Sequence, residues 1–173
     1  MAECVRALLF DLGDTLMVEQ SEVKDAQETT LQADMVPGMA DALRYFKARG
    51  YPLALVADSR AATPVNVLRQ RGLYDLFDYL AISEVVGVQK PHPLIFQLAL
   101  QALAIPQSDY GRVAMVGNNL ERDVVGANCL GLISVFFHWN NRRRSWPRKV
   151  EEKPSYTVSS SQELVSLITS LDH

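Results

Sequence analysis

Six short apolar runs, rich in β-branched and aromatic residues and separated by helical patterns, constrain this chain more than any other feature. They are Val5–Phe10, Leu53–Ala57, Tyr79–Ser83, Val113–Val116, Leu132–Phe137 and, more weakly, Tyr156–Val158. Most are nearly continuous rather than alternating, the pattern of strands covered on both faces. Between them, Met39, Ala42, Leu43 and Phe46 share one helical face. Ile95, Leu98, Ala99, Ala102 and Leu103 share another, as do Leu120, Val124, Ala127 and Leu130, and then Leu164, Leu167, Ile168 and Leu171. The stretches "ARGY", "QRGL" and "CLGL" set Gly50, Gly72 and Gly131 just past a last helical turn, each followed by an apolar or aromatic residue. That is the left-handed C-terminal cap with its hydrophobic contact. Strand, helix, glycine, strand is a repeated βαβ unit, which calls for parallel strands and right-handed crossovers. The expected fold is therefore α/β, a doubly wound parallel sheet in three layers.

The 173 residues, 48% of them apolar, suit a single domain over 1–173. A net charge of −3 sets up no field for nucleic acid, and no run is long enough to span a bilayer. Cys4 and Cys129 make no disulfide framework and read as small core residues in a reducing compartment. The N-terminus lacks the basic, apolar and cleavage-site succession of a secretory signal. The expectation is a cytoplasmic protein without membrane or nucleic-acid partners. Two segments stand apart. Residues 18–36 are polar, acid-rich and weakly helical in pattern; residues 138–154 are basic and aromatic, with Arg142, Arg143 and Arg144 between Trp139 and Trp146. Arginine forks suit phosphate, so this loop is either a partner-binding surface or a solvated one.

In doubly wound sheets ligands bind outside the carboxyl ends of the strands. Polar residues gather at those ends here. "FDLGDTL" closes the first strand with Asp11; "VADSR" follows the second with Asp58 and Ser59; "MVGNNLERD" follows the fourth with Asn118, Asn119 and Asp123. "GVQKPHPLIF" sets Lys90 before a helix. Carboxylates with a carboxamide make a hard oxygen site suited to Mg²⁺, and a lysine supplies a point charge for phosphate. Together they point to phosphoryl chemistry.

In order and spacing these segments resemble the four motifs of the haloacid dehalogenase-like (HAD) hydrolases, a Rossmann-like fold, over about Val5 to Phe137. The resemblance implies that Asp11 is a nucleophile that becomes an aspartyl-phosphate. It implies that Lys90 pairs with Asp11 and the transferring phosphate. It also implies that Asp11, the Gly13 carbonyl, Asn118 and Asp123 bind Mg²⁺ directly or through water. Asp58, Ser59 and Asn119 fall where phosphate or substrate would be held, Ser59 supplying a hydroxyl only with a shifted turn.

The sequence departs from that pattern in four places. Gly13 stands where the family has its second aspartate, the general acid and base, and Asp14 comes one residue late. Asp tolerates unusual turn dihedrals, so Asp14 reads as a loop residue. Ala57 and Asp58 stand where the family has Ser or Thr, often followed by Asn, and Asn118 replaces an aspartate, lowering the charge available to a cation. Fewer than fifty residues separate Asp11 from Asp58, so 18–36 has room for a loop or short helix but no cap domain. The resulting expectation is a Mg²⁺-dependent phosphatase with an open site, acting best on acyl or aryl phosphates whose leaving groups need no proton. Its substrate would be a phosphorylated small molecule or macromolecule, and a second copy of the chain is one way to close the site. The alternative is a catalytically impaired binding or scaffolding protein on the same fold.

Overall fold

The computed structural model describes residues 4–172. Six parallel strands form the central sheet: β1 (Ala7–Phe10), β4 (Leu53–Ala57), β5 (Tyr79–Ile82), β6 (Val113–Gly117), β7 (Ile133–Phe137) and β8 (Tyr156–Val158). Their order is β5-β4-β1-β6-β7-β8. The chain runs outward from β1 through β4 to β5, then returns to β6 on the other side of β1. That reversal puts the topological switch point between β1 and β6, where a crevice opens at the carboxyl ends.

The period of two along each strand builds two cores. Leu8 and Phe10 face a cluster with Met39, Leu43 and Phe46 of α1 (Met39–Ala48), Val67 and Leu68 of α2 (Ala62–Gln70), and Leu164 and Ile168 of α6 (Ser161–Leu171). Ala7 and Leu9 face the opposite cluster, with Ile95, Phe96 and Ala99 of α4 (Pro93–Ala102) and Ala127 of α5 (Val125–Leu130). The three layers follow from this division. Each large side chain withdrawn from water contributes about 1.5–3 kcal/mol. Phe46 adds edge contacts to Tyr45 and Tyr51, each at 5.8 Å between ring centroids.

Gly50, Gly72 and Gly131 all have positive φ, as the capping pattern requires. Several local expectations shift. On α4 the buried stripe is Ile95, Phe96, Ala99 and Leu100, one residue from the face read off the sequence, because Phe96 packs against Gly126 of α5. Cys4 and Cys129 are exposed rather than core. Residues 18–36 carry only a single 3-10 turn, Glu19–Ser21. The rest pairs as an antiparallel hairpin of β2 (Val23–Lys24) and β3 (Thr30–Gln32), and β3 leans on α2. A short helix α3 (Ser83–Val86) follows β5. No helix among the described residues is long and apolar enough to cross a membrane.

Candidate active site

Asp11 is the first residue beyond β1, and its backbone N–H donates to Val116 O of β6 at 2.9 Å, locking it at the switch point. Its carboxylate has three neighbours. Lys90 Nζ donates to Oδ1 at 2.7 Å, Thr15 Oγ1 donates to Oδ2 at 3.1 Å, and the Asn118 carboxamide stands 3.1 Å from Oδ2. Lys90 also donates to Asp123 Oδ1 at 2.7 Å. Three of the four segments singled out in the sequence therefore meet at one point, and the fourth joins them through Asp58 and the Lys90 backbone.

Lys90 is buried with its charge balanced. Burial alone would pull its ammonium down, but the carboxylates of Asp11, Asp123 and Asp58 outweigh it and hold the group above the usual lysine value. Asp123 is raised as well: burial first, then the nearby Asp11 charge, lift its carboxyl above the usual range against the pull of Lys90. Both of its oxygens are committed, Oδ1 to Lys90 and Oδ2 to the Asn119 N–H at 3.0 Å. Glycine at 117 makes this possible, since a Cβ there would stand 2.6 Å from the Cβ of Asp123.

The remaining sequence-derived residues take supporting places. Asp58 Oδ1 accepts the backbone N–H of Lys90 at 2.9 Å and Oδ2 accepts from Arg122 Nη1 at 3.1 Å, so Asp58 fixes the lysine's segment. Ser59 lines the cavity, its hydroxyl donating to Arg60 O at 3.1 Å. Asn119 also lines it, but its Oδ1 caps the π-helical turn Leu120–Val124, accepting from the N–H groups of Glu121 and Arg122. Asp14 has φ +50° and is fully buried; its Oδ1 accepts the Glu19 N–H at 3.0 Å. Arg142 Nη1 lies 3.1 Å from Asp14 Oδ2, an ion-pair contact without hydrogen-bond alignment.

Sequence reasoning passed over Glu19, Thr15, Trp139 and Arg143 as parts of the site. The cavity, about 330 Å³, is walled on one side by Glu19, Glu22 and Thr30 of the 18–36 insert and on another by Arg143. The basic loop is not a free surface. Arg143 Nη2 meets Glu19 Oε1 at 2.7 Å, Arg142 Nη2 meets Glu19 Oε2 at 3.4 Å, and Arg144 bridges Glu121 and Glu152 at 2.7 and 2.8 Å. The indole N–H of Trp139 donates to the Asp14 carbonyl at 2.7 Å, tying the loop after β7 to the loop after β1. The readable signal was complementary charge: one insert rich in acids, one loop rich in arginine.

Among the described residues no three acidic, histidine or cysteine side chains are gathered for a metal ion. A cation would instead depend on a mixed donor set: the Asp11 carboxylate, the Gly13 carbonyl and the Asn118 amide oxygen. The Asn118 carboxamide lies between Asp11 Oδ2 at 3.1 Å and Arg143 Nε at 3.2 Å. With its nitrogen toward Asp11 it satisfies both neighbours. With its oxygen toward Asp11 two acceptors face each other, an arrangement a cation between them would favour. The donors are hard oxygens, which fit Mg²⁺.

The family model for haloacid dehalogenase-like hydrolases matches residues 22–131. The chain belongs to the haloacid dehalogenase-like hydrolases. Pyrimidine 5'-nucleotidase YjjG of Escherichia coli is 35% identical over 133 residues, 77% of this chain and 56% of that protein. Glyceraldehyde 3-phosphate phosphatase of Methanopyrus kandleri is 27% identical over 135 residues, covering 78% and 57%. This HAD-like chain thus spans a little over half the length of these relatives. Among solved structures, a HAD phosphatase from Thermococcus onnurineus superposes with a TM-score of 0.77 at 18% identity, over 94% of this chain and 97% of that one. The HAD-hydrolase YfnB from Bacillus subtilis, solved bound to magnesium, does so with 0.77 and 18%, over 96% and 99%. At such identities the HAD fold is what is shared.

Proposed function

We propose that this HAD-like hydrolase is a Mg²⁺-dependent phosphatase working through an aspartyl-phosphate on Asp11. The observation that carries the reading is the Asp11–Lys90–Asp123 chain, with 2.7 Å at each link, opening on a polar cavity. Asp11 Oδ2 is the oxygen that Lys90 leaves free. Thr15 donates to it, and the carboxylate as a whole is the nucleophile toward phosphorus. Lys90, pinned through its backbone by Asp58 and through its ammonium by Asp123, supplies a fixed positive charge for the transferring phosphoryl oxygens. Arg143, Ser59 and the Asn119 segment line the same cavity and are the groups nearest to hand for substrate oxygens. A magnesium ion held by Asp11, the Gly13 carbonyl and Asn118 would neutralise phosphate charge.

The named activities of the relatives, on pyrimidine 5'-nucleotides and glyceraldehyde 3-phosphate, favour a small phosphorylated substrate. The cavity is of a size for one, and the hairpin of residues 23–32 walls one side of it. A binding role without chemistry is the second reading, favoured by Gly13 and by an Asn118 amide that Asp11 and Arg143 can satisfy unaided. Incubation with acyl phosphate and Mg²⁺, followed by mass analysis of the intact chain, separates the two. Phosphate carried on Asp11 and lost in Asp11→Asn supports the enzyme. An unmodified chain that also fails to bind beryllium fluoride supports the scaffold.

A further inference from the structure

Hydrolysis through Asp11 needs a proton delivered to the leaving oxygen and a base for the water that follows. Most acids around the cavity are spoken for. Asp123 is held by Lys90 and the Asn119 N–H, Asp58 by the Lys90 N–H and Arg122, and Asp14 is buried against the Glu19 N–H. Glu22 accepts from Thr30 Oγ1 at the cavity's far wall. Glu19 is different. Its carboxylate lies over Gly13, two positions beyond Asp11, and lines the cavity with about a fifth of its side chain in solvent. A Cβ built on Gly13 would stand 3.0 Å from both Glu19 Cδ and Cγ, with Oε1 nearer still. That oxygen falls at about the distance from the Cβ point at which an aspartate at position 13 would carry its own. The space of a residue-13 side chain is filled by a carboxylate arriving from position 19.

We infer that Glu19 is the proton-transferring residue of this site, replacing in space the acid that Gly13 lacks in sequence. The inference rests on the phosphatase reading and revises the expectation that activated leaving groups react best. Two features of the fold deliver the group. The Asp14 turn fixes its backbone through the Glu19 N–H, and Arg142 and Arg143 grip its two oxygens from the loop after β7. Arg143 also reaches Asn118 beside Asp11, so an arriving phosphate competes with Glu19 for that guanidinium. In the first step an Asp11 oxygen bonds to phosphorus, the bond from phosphorus to the leaving oxygen breaks, and the Glu19 proton passes to that oxygen. In the second, water bonds to phosphorus, its proton passes to Glu19, and the bond from Asp11 to phosphorus breaks. The enzyme returns to its starting state and the products are an alcohol and hydrogen phosphate.

The test compares wild type, Glu19→Gln, Gly13→Asp, the pair Gly13→Asp with Glu19→Ala, and Asp11→Asn, each with Mg²⁺ and its folding checked by thermal unfolding. The substrates are an alkyl phosphate and acetyl phosphate. Glu19→Gln should lower kcat on the alkyl phosphate by about 10²–10⁴-fold, the usual worth of a positioned proton-transfer group. With acetyl phosphate it should still load Asp11 but release phosphate slowly, so the phosphorylated chain accumulates in the intact mass spectrum. Gly13→Asp alone should be poorly active, because the new side chain meets Glu19. Adding Glu19→Ala should restore turnover of the alkyl phosphate. Equal losses on both substrates with no accumulating phosphoenzyme, or no loss at all, overturn the role of Glu19 while leaving the phosphatase reading intact. If wild type neither turns over nor becomes phosphorylated, or if Asp11→Asn is as active as wild type, the phosphatase reading falls and this inference with it.

Discussion

Lys90 Nζ and Asp123 Oδ1 meet at 2.7 Å with both side chains almost wholly withdrawn from water. The same ammonium reaches Asp11 at 2.7 Å, so one cation holds two acids at the sheet's switch point. Removing one partner of a buried pair leaves uncompensated charge, at a cost of about 3–5 kcal/mol. Lys90→Met is expected to lower the unfolding free energy by that amount in a urea titration, with phosphate binding lost as well. A loss under about 1 kcal/mol, the worth of an exposed pair, would show that water reaches these acids in the folded chain.

Asp14 is a structural residue with a consequence for the site. At φ +50° it accepts the Glu19 N–H through Oδ1, while its own carbonyl accepts from Trp139. Asp14→Ala leaves that N–H without its acceptor and an ordinary side chain in a left-handed conformation. The expected cost is about 1–3 kcal/mol. Asp14→Asn keeps the acceptor and tolerates the dihedral, so it should lose clearly less. Thermal unfolding of the two variants checks this, and equal losses would rule out the hydrogen bond as the cause.

What the sequence could and could not show divides along a physical line. The strands and the helical face of α1 were legible because their apolar periodicity is a local record of burial, and Met39, Ala42, Leu43 and Phe46 are all buried. The glycine caps were legible because only φ > 0 explains a glycine at that place. Asp11, Asn118 and Asp123 were legible as polar residues following strands and Lys90 as one preceding a helix, and the structure brings their side chains together. Residues 18–36 were misjudged as weakly helical, since a two-residue strand such as Val23–Lys24 leaves almost no period to read. Glu19 was invisible for a different reason. Its place over Gly13 depends on Asp14 turning the chain and on arginines more than a hundred residues away, neither of which leaves a local pattern.

Glu152 makes an acid-sensitive fastener for the basic loop. The Arg144 hydrogen bond at 2.8 Å, and then the Arg148 N–H at 2.7 Å, hold its carboxyl down at about 2. A depressed carboxyl stabilises the fold fully above the ordinary carboxylate range, and that contribution is lost as pH falls toward about 2. Glu152→Gln should therefore unfold at lower urea than wild type near neutral pH, with the gap narrowing at about pH 3. A gap of constant size across that range would assign the effect to packing instead of charge.

On the proposed Mg²⁺ site, Asn118 would set how strongly the cation is held. Its carboxamide stands 3.1 Å from Asp11 Oδ2, close enough for the two residues to share an ion, but an amide oxygen brings no net charge. Charge count tunes affinity in oxygen-ligand sites. Asn118→Asp is expected to tighten Mg²⁺ binding by about an order of magnitude in calorimetric titration. The same change should destabilise the metal-free protein, because two carboxylates would then face each other at the mouth of a buried lysine pair. Mg²⁺ should therefore raise the unfolding temperature of Asn118→Asp more than that of wild type, since a ligand bound only by the folded state stabilises it in proportion to its affinity. Asn118→Leu should bind Mg²⁺ more weakly than either. If all three chains titrate alike, the cation is held elsewhere, and Asn118 serves only to link Asp11 to Arg143.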